Sequence, residues 1–477
     1  MKNLPLLAAS GCWMAACLML TSGCGSLDPK GLRHEQATGY STNLQAETAG
    51  VLTSHPHPLT LQDCMEIARK RSLKLSSARL AERLARIDSH AAFSAFLPQV
   101  SYEFQSLSLS QPAKKIFGKD EVETQDQNVR MNTLEIAQPI FAPNAWLLYA
   151  SARRGADIRR LARERAEQLL DLQVAMSFQQ YAVLLDRAEA ARRQLESANA
   201  LLQETSALFE AGYVLDADRQ KVLTLQGARQ RDLAQLARDT TRARAQLLEV
   251  LNLWPLANLE IERASLLDTS RFQTNATASL TLESVRAQPV DAWIYLALRN
   301  RTELFGADRA IELRKNEVLR AIALFLPNVY GFANFYTTTD SYTVNDQYWG
   351  TGLQGTLSIF SGFQTLNAYL AARNELKQAF VEREEKTLTT MVQVIEAYQN
   401  LQDVGELLKI TQQSEKAALL GSQSIKAQQD SGYESLSSYL DAQSAYESAT
   451  ATRRNTEYAA ALALYVFRDV TGLNKED

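Results

Sequence analysis

Very few residues in this chain interrupt a helix. Eleven prolines and 20 glycines are spread over 477 residues, and they cluster at particular places. That scarcity argues against a β-rich or α/β enzyme and for long uninterrupted helices. Charge of one sign is also lacking, since a formal net charge of −4 gives no electrostatic footprint for nucleic acid. Histidine is nearly absent, with four residues in all. No G-x-S-x-G, H-E-x-x-H, P-loop or dinucleotide fingerprint occurs, so no enzyme activity, cofactor or metal site is expected. Cysteine is as rare, with four copies, three of them within the first 24 positions.

Those three belong to an export leader. Met1-Lys2 is a short positive n-region, Leu4 to Leu20 an apolar h-region, and Thr21-Ser22-Gly23-Cys24 a small-residue exit. The layout is a secretory signal over 1–23, and its end resembles the lipobox of bacterial lipoproteins, in which the cysteine is acylated and becomes the first mature residue. Leu20 stands one position earlier than the usual leucine. A plain signal peptide or an uncleaved anchor is the other reading of so long an apolar run. Lipidation at Cys24 would leave Cys64 alone in the folded body, so no intrachain disulfide is expected; a small buried residue on the first helix is its expected role.

What the chain does contain, it contains twice. Phe96-Leu97-Pro98-Gln99-Val100 returns as Phe325-Leu326-Pro327-Asn328-Val329, Ile140-Phe141 as Ile359-Phe360, Tyr149 to Arg153 as Tyr369 to Arg373, and Gly212-Tyr213 as Gly432-Tyr433. The period of roughly 220 residues is far too long for a solenoid, so each copy is one large unit.

The polar segment 24–58, through His55-Pro56-His57-Pro58, reads as an extended linker. The first repeat, 59–254, opens with a helix to about residue 93. Val100, Tyr102 and Phe104 then alternate with Ser101, Glu103 and Gln105 as a strand. Residues 109–127 read as an exposed loop, and 128–140 as a second strand with a phase change near Thr133. After Pro143 nothing breaks the chain until Gly212, and a second helix returns to about Val250 with heptad-like apolar spacing. A connector over 255–280 precedes the second repeat, 281–473: a helix over 282–324, strands near 328–338 and 347–360, a helix over 362–430, a turn at Gly432 and a helix to about 471. Residues 474–477 form a tail.

Four strands per chain cannot close a barrel, and an open sheet in a bilayer leaves costly unpaired edges. Several chains must therefore share one barrel. Tyr102, Phe104, Tyr330, Phe332, Phe335, Tyr336, Tyr348 and Trp349 read as a membrane-interface girdle or as ordinary strand propensity.

On its duplicated Phe-Leu-Pro strand entries, Ile-Phe exits and Gly-centred turns, the chain resembles the TolC/OprM-type outer-membrane efflux proteins over residues 59–473. The resemblance implies a mainly α fold with a small membrane β-barrel contribution: long antiparallel coiled-coil hairpins and four strands per chain, joined in a homotrimeric α/β tunnel. It implies an outer-membrane channel of a tripartite efflux or secretion system, lipid-anchored, with a periplasmic adaptor (membrane fusion) protein and an inner-membrane transporter as partners. It implies adaptor docking at the hairpin tips, Gly212, Tyr213, Gly432 and Tyr433, where the glycines also serve simply to end helices. It further implies a periplasmic gate near Asp218, Ser438 and Asp441; in the family two acidic residues stand one turn apart, and here Ser438 takes the place of the first. An acidic residue early in a helix is favourable on its own account. A periplasmic coiled-coil scaffold without channel activity is the competing function; it accounts for the helices but not for paired amphipathic strands in both halves.

Overall fold

The computed structural model describes residues 31, 33, 39–118, 120–267 and 280–473. Cys24, the signal segment and the tail 474–477 lie outside the described residues, as do residues 268–279 of the expected connector. The chain divides into two compact units, one of residues 1–68 with 177–265, the other of residues 69–176 with 266–477.

In the first unit, α1 (Ser41–Ser54) occupies a stretch expected to be an extended linker. Polar composition hid it, because one buried threonine rather than an apolar stripe holds it. Thr48 accepts a hydrogen bond from the Trp254 N–H at 2.9 Å. His55 to Pro58 is non-helical, as two prolines require. Leu59 then bridges to Ile261, and α2 follows (Leu61–Arg71). The buried residues of this unit include Leu59, Cys64, Phe178, Leu247, Leu248, Leu251 and Leu259. The Tyr181 hydroxyl donates to the Leu259 carbonyl at 3.0 Å.

The expected first helix is in fact two. Ser72 leaves helical geometry and caps α3 (Leu73–Ser94), its side chain accepting from the Leu75 N–H, so a serine ends one helix and starts the next. Likewise 282–324 is three helices, α6 (Leu282–Arg286), α7 (Val290–Asn300) and α8 (Thr302–Ala323). The breaks fall where Pro289 and Arg301 take extended backbone.

The long helices are continuous. α4 runs Pro143–Glu210, 68 residues, which is about 100 Å at 1.5 Å per residue; α5 spans Asp216–Val250. In the second unit α9 spans Gln364–Asp430 and α10 Leu436–Thr471. A core of Val285, Trp293, Ala297, Val394, Leu401 and Phe467 joins α6 and α7 to this hairpin, with the Trp293 and Phe467 rings edge to face at 5.2 Å. Beside it lies an ionic knot. Arg165 holds Asp469 at 2.6 Å and Glu303 at 2.6 Å, and Arg301, itself buried, reaches Glu303, Gln393 and Thr390.

The second unit also carries the sheet. β1 (Gln99–Ser108), β4 (Asn128–Phe141), β5 (Asn328–Thr338) and β6 (Gln347–Thr356) pair antiparallel in that order. Two expectations are corrected here. The stretch 109–127 is not a bare loop but a hairpin, β2 (Ala113–Phe117) and β3 (Asp120–Gln125). The irregularity in β4 lies at Pro139–Phe141, not at Thr133, which pairs regularly on both sides; Pro139 cannot donate to the ladder, so the register slips there. β6 also ends at Thr356, short of residue 360.

Candidate functional site

Residues facing each other across an antiparallel ladder share a face, so the registers settle which side chains stand together. Tyr102 faces Leu134, which faces Phe335, which faces Trp349; Val100, Ile136, Ala333 and Thr351 form the next row. With Phe104, Ile140 and Leu353 these make one apolar face, and it is open: Tyr102 is 66% exposed and Trp349 74%. Near its loop end the Tyr102 hydroxyl donates to Asn132 Oδ1 at 2.7 Å, and Asn132 Nδ2 donates to Thr337 at 3.0 Å, a polar margin to the apolar band.

The opposite face carries Ser101, Glu103, Thr133, Glu135, Asn334, Tyr336, Tyr348 and Gln354. The eight strand aromatics are therefore divided. Tyr102, Phe104, Phe335 and Trp349 stand on the apolar face, whereas Tyr330, Phe332, Tyr336 and Tyr348 stand on the polar one, so a single girdle does not describe them. Phe332 lies across Gly352, where a Cβ would come within 2.7 Å of the ring, and the Tyr336 and Tyr348 rings stack at 4.9 Å. At the loop end the β2–β3 hairpin is tied down: Tyr342 donates its hydroxyl to Glu123 at 2.8 Å, and the Asp126 and Ser341 N–H groups bond to Asp340 and Asp126.

Each hairpin tip is built by one glycine. Gly212 has φ 81° and Gly432 φ 76°, the left-handed region where only glycine sits without cost. Tyr213 donates its N–H to the Leu208 carbonyl at 2.9 Å and Tyr433 to that of Gln428 at 2.8 Å, the six-to-one bond of a Schellman end. Both tyrosine rings project into solvent, 81% and 86% exposed.

The following helix begins differently at each tip. Leu215 offers no side-chain cap at the start of α5; Asp216 and Asp218 in its first turn complement the helix dipole and are held by Arg219 at 2.8 Å and Lys221 at 3.0 Å. Arg219 also lies over the Phe209 ring at 4.7 Å, a contact no spacing rule singled out. At α10, Ser435 caps the Ser438 N–H at 3.1 Å, and the two hydroxyls meet at 3.0 Å. Ser438 thus takes part in a helix cap. Asp441, one turn on, is exposed and has no ion-pair partner among the described residues.

Cys64 is fully buried on α2, and burial pushes its thiol up to about 12, so it is inert at neutral pH. Next to it burial works to raise the Asp63 carboxyl, but two hydrogen bonds from Thr60 outweigh that and hold it below the usual carboxylate range. Among the described residues no His, Cys, Asp and Glu group is arranged to hold a metal ion, and no helix is long and apolar enough to cross a membrane.

Known proteins share this architecture. The chain aligns with the "Campylobacter jejuni CmeC outer membrane channel" at TM-score 0.71 and 15% identity, covering 86% of this chain and 85% of that one. It aligns with the outer membrane protein VceC of Vibrio cholerae at TM-score 0.67 and 13% identity, covering 86% and 96%. At such identities the likeness concerns the fold. In sequence the chain is 27% identical over 318 residues to the "Alkaline protease secretion protein AprF" of Pseudomonas aeruginosa, a match spanning 64% of this chain and 62% of that relative. The profile of the family described as "Outer membrane efflux protein" matches residues 65–253 and 293–472, one stretch in each repeat, and by that match the chain belongs to the outer membrane efflux protein family.

Proposed function

We propose that three copies of this chain form the outer-membrane channel of a tripartite efflux or secretion system. The observation that carries this reading is the sheet. Its apolar face is open to the surroundings, its other face is polar, and both edge strands, β1 and β6, are ten residues long, each with its outer edge unpaired among the described residues. In a bilayer, unpaired strand edges cost several kcal/mol per exposed backbone group. Strand order and direction let β6 of one copy meet β1 of the next antiparallel, and three copies supply the twelve strands of a closed barrel. Ten-residue strands, tilted as barrel strands are, match an apolar band about 25 Å tall. A scaffold confined to the periplasm would have no use for that face.

In this reading Cys24 carries the lipid anchor, and the tips at Gly212-Tyr213 and Gly432-Tyr433 receive a periplasmic adaptor that couples the channel to an inner-membrane transporter. The name of the Pseudomonas relative supports a protein cargo as one form of export. Asp441, exposed and unpaired, and Asp218, which stands after the first tip where Ser438 stands after the second, are the acidic groups at the periplasmic mouth; Ser438 acts there through the cap it shares with Ser435.

Reconstitution into planar bilayers tests the reading. Purified outer-membrane chain should migrate as a heat-resistant oligomer and give discrete conductance steps. A soluble monomeric or dimeric rod without conductance would establish the scaffold instead. In the same assay Asp441→Asn should raise conductance or weaken block by multivalent cations; unchanged behaviour would remove Asp441 from the gate.

A further inference from the structure

The polar face of the sheet, which the channel reading turns toward the lumen, is unevenly built. On β1 and β4 it presents short or flexible side chains such as Ser101, Thr133 and Ala137. On β5 it presents the rings of Tyr330, Phe332 and Tyr336. On β6 the same face offers Tyr348, then Gly350 and Gly352, then Gln354.

Glycine is a poor choice inside a strand, because it loses the most backbone freedom on folding and packs no side chain. Neither Gly350 nor Gly352 has a positive φ, so the backbone itself does not ask for glycine at either place. Gly350 has open space around it, but Gly352 does not. Phe332 stands directly opposite Gly352 on β5, and its ring lies across the bare backbone. A Cβ at position 352 would fall 2.7 Å from the ring Cζ, 3.0 Å from Cε1 and 3.5 Å from Cε2.

On its other side Phe332 faces Ala137, which has a Cβ. Gly352 is therefore the bare neighbour on which the ring can lie down. A side chain there would drive Phe332 to another rotamer. With a Cβ on both sides, that rotamer points away from the wall.

We propose that Gly352 and Phe332 together set the bore of the barrel, the glycine keeping the ring flat so that bulky cargo passes. The inference rests on the channel reading above and adds to it the residues that decide cargo size. In a closed ring of three copies, symmetry puts the three Phe332 side chains at one level. Rings raised from the wall all narrow the same cross-section.

Polymer-linked maleimides of graded mass, added outside cells carrying the full chain, test it. Gln354 is exposed and lies on the same face, one step beyond Gly352 from the loop end. Labelling of Gln354→Cys therefore reports what passes the Phe332 level. The natural Cys64 is fully buried and stays silent. In the Gln354→Cys chain, Gly352→Ala should abolish labelling by the larger polymers and keep labelling by the smallest. Gly350→Ala, the same change made in open space, should leave the size cut-off where it was. Adding Phe332→Ala to Gly352→Ala should bring the larger polymers back. Phe332→Ala by itself should hardly move the cut-off, since the ring already lies flat. If Gly352→Ala leaves the cut-off unchanged, if Gly350→Ala lowers it equally, or if Phe332→Ala gives no relief, the bore is set elsewhere and the channel reading stands. If no polymer of any size reaches Gln354→Cys, the channel reading falls and this inference with it.

Discussion

A glycine with φ 75° ends α10, and its position is set by what lies against it. The Leu473 N–H closes the helix on the Arg468 carbonyl at 3.0 Å. A Cβ on Gly472 would come within 2.9 Å of the Asn300 carbonyl carbon and 3.1 Å of the Arg301 nitrogen. Both are backbone atoms, which cannot rotate away. Gly472→Ala therefore combines left-handed strain with overpacking and should cost about 2–4 kcal/mol, read as a lower midpoint in denaturant unfolding. The tip glycines, Gly212 and Gly432, have open space around them, so alanine there meets the backbone penalty alone, on the order of 1 kcal/mol.

Helix starts in this chain are set by short polar devices, and α2 shows one whose strength depends on pH. Thr60 donates both its N–H and its hydroxyl to Asp63, at 3.0 and 2.7 Å, while the Asp63 N–H returns a bond to the Thr60 hydroxyl at 3.2 Å. Because the folded carboxyl is held below its ordinary value, its stabilisation is complete above the usual carboxylate range near pH ~4. It is lost as pH falls through the depressed folded value. Asp63→Ala should cost about 1 kcal/mol at neutral pH, with the deficit shrinking in acid; thermal unfolding at both pH values measures it. Devices of this size explain what the sequence disclosed and what it hid. Pro98, Pro327, Gly212 and Gly432 are strong punctuation, and the strand entries and hairpin tips stand where they indicate. The breaks at Ser72 and Arg301 depend on a single residue leaving helical backbone in an otherwise helical pattern, which periodicity passes over. The β2–β3 hairpin was masked by Lys114, Lys115, Asp120 and Glu121, although Ile116, Val122 and the left-handed Gly118 between them were a signal that could have been followed. The sequence left the strand aromatics open between a girdle and ordinary strand propensity, because an aromatic in a strand has the same propensity on either side; only register assigns each to a face.

For the molecule as a whole, the duplicated plan raises the question of what ties the copies together. One answer is the buried knot at Arg165. Its guanidinium, on the first repeat, is clasped by Asp469 and Glu303 of the second. Burial disfavours its charge, but the carboxylates outweigh that and hold it firmly protonated. Removing one partner leaves a buried charge poorly compensated, so Asp469→Asn should destabilise by about 3 kcal/mol, while Arg165→Met combined with Asp469→Leu should recover much of the loss. Comparing the single and paired variants in denaturant unfolding separates the ionic contribution from packing. In the sequence Arg165 stands out only as a polar interruption of the apolar seam of α4; spacing could not name Glu303 and Asp469 as its partners, because they lie far along the chain in the second repeat.

The two edges of the sheet are unlike: β1 enters from α3, and β6 leaves toward α9. In the trimeric reading proposed above, a copy whose β6 edge is spoiled keeps a sound β1 edge and would still be accepted by a growing ring, which it would then prevent from closing. Loss of function from such a copy would be dominant. A minority of defective chains would titrate out sound ones in a mixed population, and activity would fall more steeply than the fraction of sound chains.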